Sequence, residues 1–370
     1  MKSELCTVGK QVRQQGEIVR EYILRNLEAH PNDIVGTTAE KFGCSRQAIH
    51  KHLARLVEQG AVTSTGARRM PGYKLTQLDQ ESWQYALGSH LAENDVWERD
   101  VLPRLQALPK NVLGIWHYAF TEMVNNAIDH AGGTKLLVHL ERTATTTTIT
   151  VHDDGIGIFR KIQGELDLVD ERQAIFELSK GKLTTDPANH TGQGIFFSSR
   201  MMDEFTILAG GLLFDHERGK ERDWLVERKK PDRGTTVRMV LNNHTSRSTK
   251  KVFDEFSSKD ENYTFNKTVV PMTLAKFGPS ELVSRSQAKR LLARVDLFEV
   301  VIFDFKGVET IGQAFADEIF RVFARLHPEI EMPVINATKQ VHDMIARARA
   351  EKSGLAKLGL ANAGRTRAAK

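Results

Sequence analysis

The chain has 370 residues, of which 40% are hydrophobic and 27% are charged, and its formal net charge is +5. At roughly 150 residues per domain this length predicts two or three domains, and no stretch approaches the roughly 18 apolar residues of a membrane-spanning helix. The first residues lack the apolar core of a secretion signal, and Cys6 and Cys44 offer neither a disulfide framework nor zinc-ligand spacing. We therefore expect a cytoplasmic protein without a structural zinc ion.

The positive charge is concentrated at the two ends of the chain. Residues 1–75 contain twelve Lys and Arg residues against seven acidic ones, and residues 347–370 contain seven against one. The middle of the chain is therefore acidic overall, and the distribution of charge bears on nucleic-acid binding more than its total does. Residues 351–370 are predicted to form a flexible basic tail that adds at most non-specific attraction to phosphate.

Residues 1–79 are predicted to form three helices followed by a hairpin. Hydroxyl side chains that can accept hydrogen bonds from free N–H groups mark the starts of the second and third helices. At the start of the second helix a Glu follows three residues after the hydroxyl residue, as in a capping box. The predicted elements are a helix at 14–29, a second helix capped by Thr37 with Glu40, a third helix from the Ser45 cap to Glu58, and two strands around 66–72.

This arrangement resembles a winged helix-turn-helix domain. Arg and Gln side chains can read base edges through paired hydrogen bonds, and Lys can contact phosphate. The resemblance implies binding of double-stranded DNA, whereas a solvated helix face in a protein-interaction module is the alternative. The residues assigned to DNA lie on the outward face of the third helix and at the tip of the hairpin: Arg46, Gln47, His50, Lys51, Arg68 and Arg69.

A second unit is predicted over residues 80–245. A helix around 120–131 places Glu122, Asn126 and Asp129 at i, i+4 and i+7, on one face and beside an apolar face. Such a face suits the wall of a pocket, although by itself it is also typical of a solvated helix.

Two glycine-rich turns follow this helix, each next to a predicted strand or helix. Glycines let the backbone turn sharply and approach a ligand, and the free N–H groups at the start of a helix suit phosphate. A carboxylate beside such a turn can accept a hydrogen bond from an amine such as adenine N6. The residues predicted to contact a ligand in these turns are Asp154, Gly155, Gly157, Thr191, Gly192 and Gly194.

The order of these motifs resembles the GHKL family of ATP-binding domains (gyrase, Hsp90, histidine kinase, MutL), which have the Bergerat fold. The resemblance implies ATP and Mg²⁺ as cofactors, with Asn126 as the Mg²⁺ ligand, Asp154 on adenine and Thr235 supporting it. The resemblance also implies that Asp129 is a supporting acid in the site. Glu122 matches the general base of members that hydrolyse ATP or transfer its phosphate, and an ATP-occupied switch without turnover is the alternative.

The segment between the two turns, residues 160–190, is polar and predicted to be flexible. Lys180 and Lys182 within it could reach a γ-phosphate, and a solvated loop is an equally good interpretation. The second turn departs from the commoner Gly-x-Gly-Leu-Gly form, because two phenylalanines follow Gly194.

The C-terminal part is predicted to alternate strands and helices over residues 265–350, after a polar linker at 246–264, which indicates a mostly parallel sheet. The sequence around 298–319 resembles a STAS-like domain of the anti-sigma-factor antagonist type. Where phosphorylated STAS domains carry Ser, this chain has Gln313 or Ala314, and only Thr310 offers a nearby hydroxyl. A docking or dimerisation module is therefore expected, and a plain structural domain is the alternative.

Together these patterns predict a multidomain protein of mixed α/β and α+β class: a winged helix, a Bergerat-fold α/β sandwich and a small STAS-like α/β domain. The function expected is an ATP-binding transcriptional regulator in which the nucleotide domain controls DNA binding. The alternative is an anti-sigma-type serine/threonine kinase, or slow ATPase, acting on a STAS-like partner. A protein partner of the STAS-domain or sigma-factor type and a homodimer are both left open.

Overall fold

The computed structural model describes residues 16–65, 72–88, 90–183, 192–218, 224–227, 233–257, 265–275 and 281–350. The expected order of a helical unit with a hairpin, an α/β sandwich and a small parallel α/β unit is confirmed. Over these described ranges, no helix combines the length and apolar character needed to cross a membrane.

The N-terminal unit packs three helices against a two-stranded hairpin. The Ser45 hydroxyl accepts a hydrogen bond from the Ala48 N–H at 3.2 Å, so the predicted cap of the third helix is confirmed. Arg68 and Arg69 lie outside the described residues. The elements are α1 at 16–26, α2 at Ile34–Phe42, α3 at Arg46–Glu58, and the antiparallel strands β1 at Val62–Thr65 and β2 at Gly72–Leu75.

The predicted capping box at Thr37 is wrong. Helix α2 begins three residues earlier, at Ile34, because Ile34 is apolar and its buried side chain packs in the core of this unit. Thr37 therefore lies inside the helix, where its hydroxyl donates to the backbone carbonyl of Asp33 at 3.2 Å. A hydroxyl can satisfy itself in this way within a helix, so the residue type alone did not fix the helix start.

The central unit is a seven-stranded sheet with the strand order β3-β4-β5-β9-β6-β7-β8, and every neighbouring pair is antiparallel. Alternate residues of the central strands are buried, so one face of the sheet packs on helices. The strands are β3 at Gln77–Ala86, β4 at Lys135–Thr143, β5 at Thr146–Asp153, β6 at Glu204–Ala209, β7 at Leu212–Glu217, β8 at Trp224–Glu227 and β9 at Thr235–Asn242.

The helices of the central unit cover that buried face. The segment 160–190, predicted to be flexible, contains two helices in its described part, because Phe159, Ile162, Ala174 and Ile175 bury apolar side chains in the core. The helices are α4, in consecutive segments at Glu93–Val96, Trp97–Val101 and Leu102–Leu105, α5 at Lys110–His130, α6 at Ile158–Glu165, α7 at Glu171–Lys180 and α8 at Gly194–Met201.

Part of the predicted linker at 246–264 is a helix, α9 at Thr249–Phe256, capped by the Ser248 hydroxyl. Its Phe253 and Phe256 rings pack against the rings of α8, which gives this polar-looking stretch a buried apolar face. Residues 249–256 of the segment therefore belong to the packed structure.

The C-terminal unit has a three-stranded sheet in the order β10-β11-β12, and both pairs are parallel, as predicted. Helices lie between the strands and after the last one. The elements are β10 at Lys267–Pro271, α10 at Arg285–Leu292, β11 at Val300–Asp304, α11 in consecutive segments at Gln313–Asp317, Glu318–Phe323 and Ala324–Leu326, β12 at Val334–Ile335, and α12 at 339–350.

Two separate hydrophobic cores organise the described residues. One belongs to the N-terminal unit and extends from Val19 to Val62. The other runs without a break through the central and C-terminal units, from Val96 to Ala348. Because they share a core, the central and C-terminal units pack as one body.

Candidate functional site

A cavity of about 350 Å³ opens between α5, the end of β5, α6 and the start of α8. Its size lies within the range of roughly 300–1,000 Å³ typical of small-ligand sites. An apolar floor and a few converging polar groups line it: Glu122, Met123, Asn125, Asn126, Ala127, His130, Ala131, Val151, Asp153, Gly157, Ile158, Lys161, Ile162, Glu165, Leu178, Leu183, Gly192, Gly194, Ile195, Phe196, Thr235 and Val237.

Helix α5 forms one wall of the cavity, and its lining face differs from the predicted one. Glu122 and Asn126 line the cavity as expected, and His130, one further turn along, lines it too. Asp129 does not line it, which corrects its assignment as a supporting acid. Glu122, Asn126 and His130 recur every four residues and therefore lie near one face of the helix.

The carboxylate at the first glycine turn is Asp153, not Asp154. Strand β5 alternates half-buried and buried residues up to Asp153, which is buried and lines the cavity. Its Oδ1 accepts the Gly155 N–H at 2.9 Å and the Thr235 N–H at 3.3 Å. Burial raises the pKa of Asp153, and these two N–H groups oppose that rise.

Asp154 faces the other way and ties the turn to β4. It accepts hydrogen bonds from the Lys135 N–H at 2.9 Å, the Thr134 hydroxyl at 2.7 Å and the Thr134 N–H at 2.6 Å. The Lys135 N–H, the Thr134 hydroxyl and the Thr134 N–H hold the pKa of Asp154 well below its usual range. The assignment of Asp154 to adenine is therefore corrected, because successive strand residues face opposite sides.

The glycines of the first turn do different things. Gly155 packs against Ala131, the residue that follows helix α5, and a Cβ on Gly155 would overlap the Ala131 carbonyl. Gly155 does not line the cavity, which corrects its assignment as a ligand contact. Gly157 does line it, with a φ of 89° that favours glycine. The hydroxyl of Thr235, a lining residue on β9, accepts the Ile158 N–H at 3.0 Å and so fixes the start of α6.

The second glycine turn lies against Glu122. Gly192, with a φ of 65°, and Gly194 both line the cavity, and a Cβ on Gly194 would overlap the Glu122 carboxylate. Helix α8 starts at Gly194, so its first N–H groups lie at the cavity and are suited to an anion. Thr191 lies outside the described residues.

Lys180 and Lys182 do not reach the cavity. Both ammonium groups donate to backbone carbonyls of the C-terminal unit, Lys180 to Ala293 at 2.5 Å and Lys182 to Leu297 at 2.7 Å. Both interpretations of these lysines, the γ-phosphate contact and the solvated loop, are therefore wrong, because the two side chains lie in the contact with the C-terminal unit.

Lys161 was not singled out from the sequence, and it is the one lysine or arginine among the described lining residues. Its ammonium donates to the His130 carbonyl at 3.1 Å and lies 3.6 Å from a Glu165 carboxylate oxygen. Nothing in the local pattern could identify it, because its place depends on how α6 folds over α5. His130 could have been found by extending the spacing of Glu122 and Asn126 by another four residues.

A second candidate site is the outward face of α3. Arg46, Gln47, His50 and Lys51 are all exposed, while Ile49, Leu53 and Leu56 of the same helix are buried, as predicted. His50 Nδ1 lies 3.5 Å from the Tyr73 hydroxyl of β2, so the helix and the hairpin present one surface.

Comparisons with protein families match three parts of the chain. Residues 19–74 match an HTH domain, residues 90–212 a histidine kinase-like ATPase domain, and residues 287–342 a STAS-like domain of unknown function. No curated protein matches the chain. The three matches follow the order of the three structural units, so the chain contains a helix-turn-helix region, a histidine kinase-like ATPase region and a STAS-like region in that order.

Proposed function

We propose that the chain is an ATP-binding regulator in which the nucleotide state of the central domain controls how the winged helix engages double-stranded DNA. The observation that carries this proposal is the connection between the two domains. Strand β2 of the hairpin ends at Leu75 and β3 of the central sheet begins at Gln77, so Thr76 is the whole connection. Its N–H donates to the Ala61 carbonyl at 3.0 Å, which fixes the direction in which the chain leaves the hairpin.

A continuous series of contacts joins this connection to the cavity. Strand β3 pairs along its length with β4, and the Leu87 N–H donates to the Thr134 carbonyl at 2.9 Å. Thr134 and Lys135 in turn donate to Asp154, next to the Asp153 that lines the cavity. A ligand that shifts the first glycine turn therefore acts on the strand that continues into the hairpin.

The donor groups of the cavity fit Mg²⁺-ATP. The Asn126 amide supplies an oxygen ligand of the kind that Mg²⁺ prefers, and Mg²⁺ needs only one or two protein ligands beside phosphate. When bound, the ion neutralises phosphate charge. Both backbone bonds to Asp153 end on Oδ1, so we assign Oδ2 to the adenine amine, with Thr235 supporting that end of the site. The N–H groups of the second glycine turn are assigned to the phosphates.

The proposal predicts that Mg²⁺-ATP changes the affinity for DNA. DNA is selected from a genomic library with and without Mg²⁺-ATP, and the dissociation constant of the enriched site is then measured by fluorescence anisotropy. We expect a nucleotide-dependent change of about fivefold or more. Asn126→Ala should retain DNA binding and lose the nucleotide dependence, whereas equal affinity of the wild-type protein with and without nucleotide would contradict the proposal.

The same titration tests the DNA face. Arg46→Ala should weaken the selected site by about 1–3 kcal/mol, and random duplex by less, if Arg46 reads a base edge. An equal loss on both DNAs would show that Arg46 contacts only the phosphate backbone.

Glu122 supports a second candidate function, a serine/threonine protein kinase or slow ATPase. Its carboxylate lies against the second glycine turn, where it could accept a proton from an attacking water or hydroxyl. We expect γ-labelled ATP to give labelled protein or free phosphate in this case, and Glu122→Gln to lower that rate by about 10²–10⁴-fold. Retained nucleotide binding in the variant shows that the site is intact. If the wild-type protein gives no product above background, the catalytic function is contradicted and only the switch function remains.

A further inference from the structure

We propose that the STAS-like domain regulates the nucleotide site of its own chain by holding the two ends of the segment between α7 and α8 in the arrangement that lines the cavity. Docking of this domain and binding of nucleotide should then strengthen each other. This inference rests on the proposed function, because it requires a nucleotide in the cavity.

The end of α7 is attached to the STAS-like domain by a buried cation. Lys180 is 1% exposed, and its ammonium donates to the Glu177 carboxylate at 2.7 Å and to the carbonyls of Ala293 and Leu291 at 2.5 and 3.3 Å. The Thr268 hydroxyl of β10 donates back to the Lys180 carbonyl at 2.6 Å. A buried ammonium requires such partners, so α7 is held in one position against the turn after α10.

The next two residues extend the contact. The Arg294 guanidinium donates to the Lys182 carbonyl at 2.8 Å, and the Lys182 ammonium donates to the Leu297 carbonyl at 2.7 Å. Gly181, between Lys180 and Lys182, has a φ of 82°, and a Cβ on it would lie 2.9 Å from the Phe265 ring. The backbone can approach the domain this closely because the residue is glycine.

The other end of the segment is attached through aromatic rings. Two phenylalanines, Phe196 and Phe197, follow Gly194, and each ring centroid lies 4.9 Å from the ring centroid of Phe265. The ring centroids of Phe265 and Phe298 are 5.4 Å apart. Aromatic pairs at these separations add packing energy beyond buried area. The departure of the second glycine turn from the commoner motif therefore has a structural reason, since its two phenylalanines anchor α8 to the STAS-like domain.

Both attached ends also line the nucleotide cavity. Leu178 and Leu183 line it on the α7 side, and Gly192, Gly194 and Phe196 line it on the α8 side. The residues that would enclose the ligand are thus the ones held by the STAS-like domain. Because coupling between two binding equilibria is reciprocal, a ligand that needs this arrangement must in turn stabilise the docked domain.

The test uses the full chain, Mg²⁺ and a non-hydrolysable ATP analogue. Arg294→Asn removes the hydrogen bond to Lys182, and Asn tolerates the left-handed backbone of residue 294, whose φ is 62°. We expect calorimetry to show a dissociation constant about 5- to 10-fold higher than that of the wild-type protein. Lys289→Gln is the matched control, because Lys289 lies on the same domain, is exposed and, within the described ranges, forms its ion pair with Glu318. The dissociation constant of this variant for the analogue should equal that of the wild-type protein.

Hydrogen exchange provides the reciprocal measurement. In the wild-type protein, saturation with the analogue should slow exchange at the amides of residues 291–298, and this effect should shrink in Arg294→Asn. An unaltered dissociation constant in that variant, or wild-type exchange at 291–298 that does not respond to the analogue, would overturn the inference while leaving nucleotide binding itself intact. A wild-type protein that does not bind the analogue would instead contradict the proposed function.

Discussion

Replacement of Asp153 by asparagine is expected to weaken ATP binding about 10- to 100-fold. A hydrogen bond to a charged group contributes about 1.5–3 kcal/mol, and Asp153 is the buried carboxylate that lines the cavity. Asparagine retains the shape and an acceptor for the Gly155 and Thr235 N–H groups, so the first glycine turn should stay in place. Calorimetry with Mg²⁺-ATP measures the change in the dissociation constant.

The neighbouring variant Asp154→Asn is the matched control, and its dissociation constant should stay within about twofold of the wild-type value, as for substitutions that do not contact the ligand. Its effect should appear in stability instead. The pKa of Asp154 is lower in the folded than in the unfolded chain. Its contribution to the free energy of unfolding is therefore present above about pH 4 and is lost as the pH falls further. The variant should lack this part of the acid dependence. Equal loss of ATP affinity in both variants would contradict the assignment of Asp153.

Replacement of Lys180 by methionine is expected to lower the free energy of unfolding by about 3–5 kcal/mol, the usual effect of removing one member of a buried ion pair. Glu177, which is 2% exposed and whose pKa burial raises, would lose its nearest cation. The Arg294 guanidinium, 3.9 Å away, is a weaker partner. The carbonyls of Leu291 and Ala293 would also lose a donor. Urea denaturation measures the loss.

The double variant Glu177→Leu with Lys180→Met provides the comparison. Exchange of a whole buried pair for apolar residues is often neutral or stabilising, so most of the stability should return. If the double variant is as unstable as Lys180→Met alone, the loss comes from the broken contacts with the STAS-like domain and not from the unpaired carboxylate.

Local patterns predicted most of the elements of the fold. The cap at Ser45, the buried face of α3 and the parallel sheet of the C-terminal domain follow from hydrogen-bonding capacity and apolar spacing, which act over a few residues. Such patterns misplace the start of α2 and miss the helices in the segments predicted to be flexible or linking. Their apolar positions are few, and they become helical faces only when a core is available to cover them.

The candidate site likewise contains residues that local patterns predict and residues that only the tertiary structure brings together. Glu122 and Asn126 line the cavity because i and i+4 residues share a helix face whatever surrounds the helix. The alternation of β5 also contained the information that places Asp153 inward and Asp154 outward. In contrast, His130 and Lys161 meet only because α6 folds back over the end of α5.

The sequence by itself determined the three domains, their order, and a helix followed by two glycine turns that together line a cavity. These features depend on short-range periodicity and on the backbone freedom of glycine. Only the tertiary structure decided that Lys180 and Lys182 bind the STAS-like domain and not the cavity, and that Phe196 and Phe197 pack between domains. A lysine or phenylalanine has the same local pattern in either role, and the partner that decides between them is about 70 to 115 residues away in the sequence.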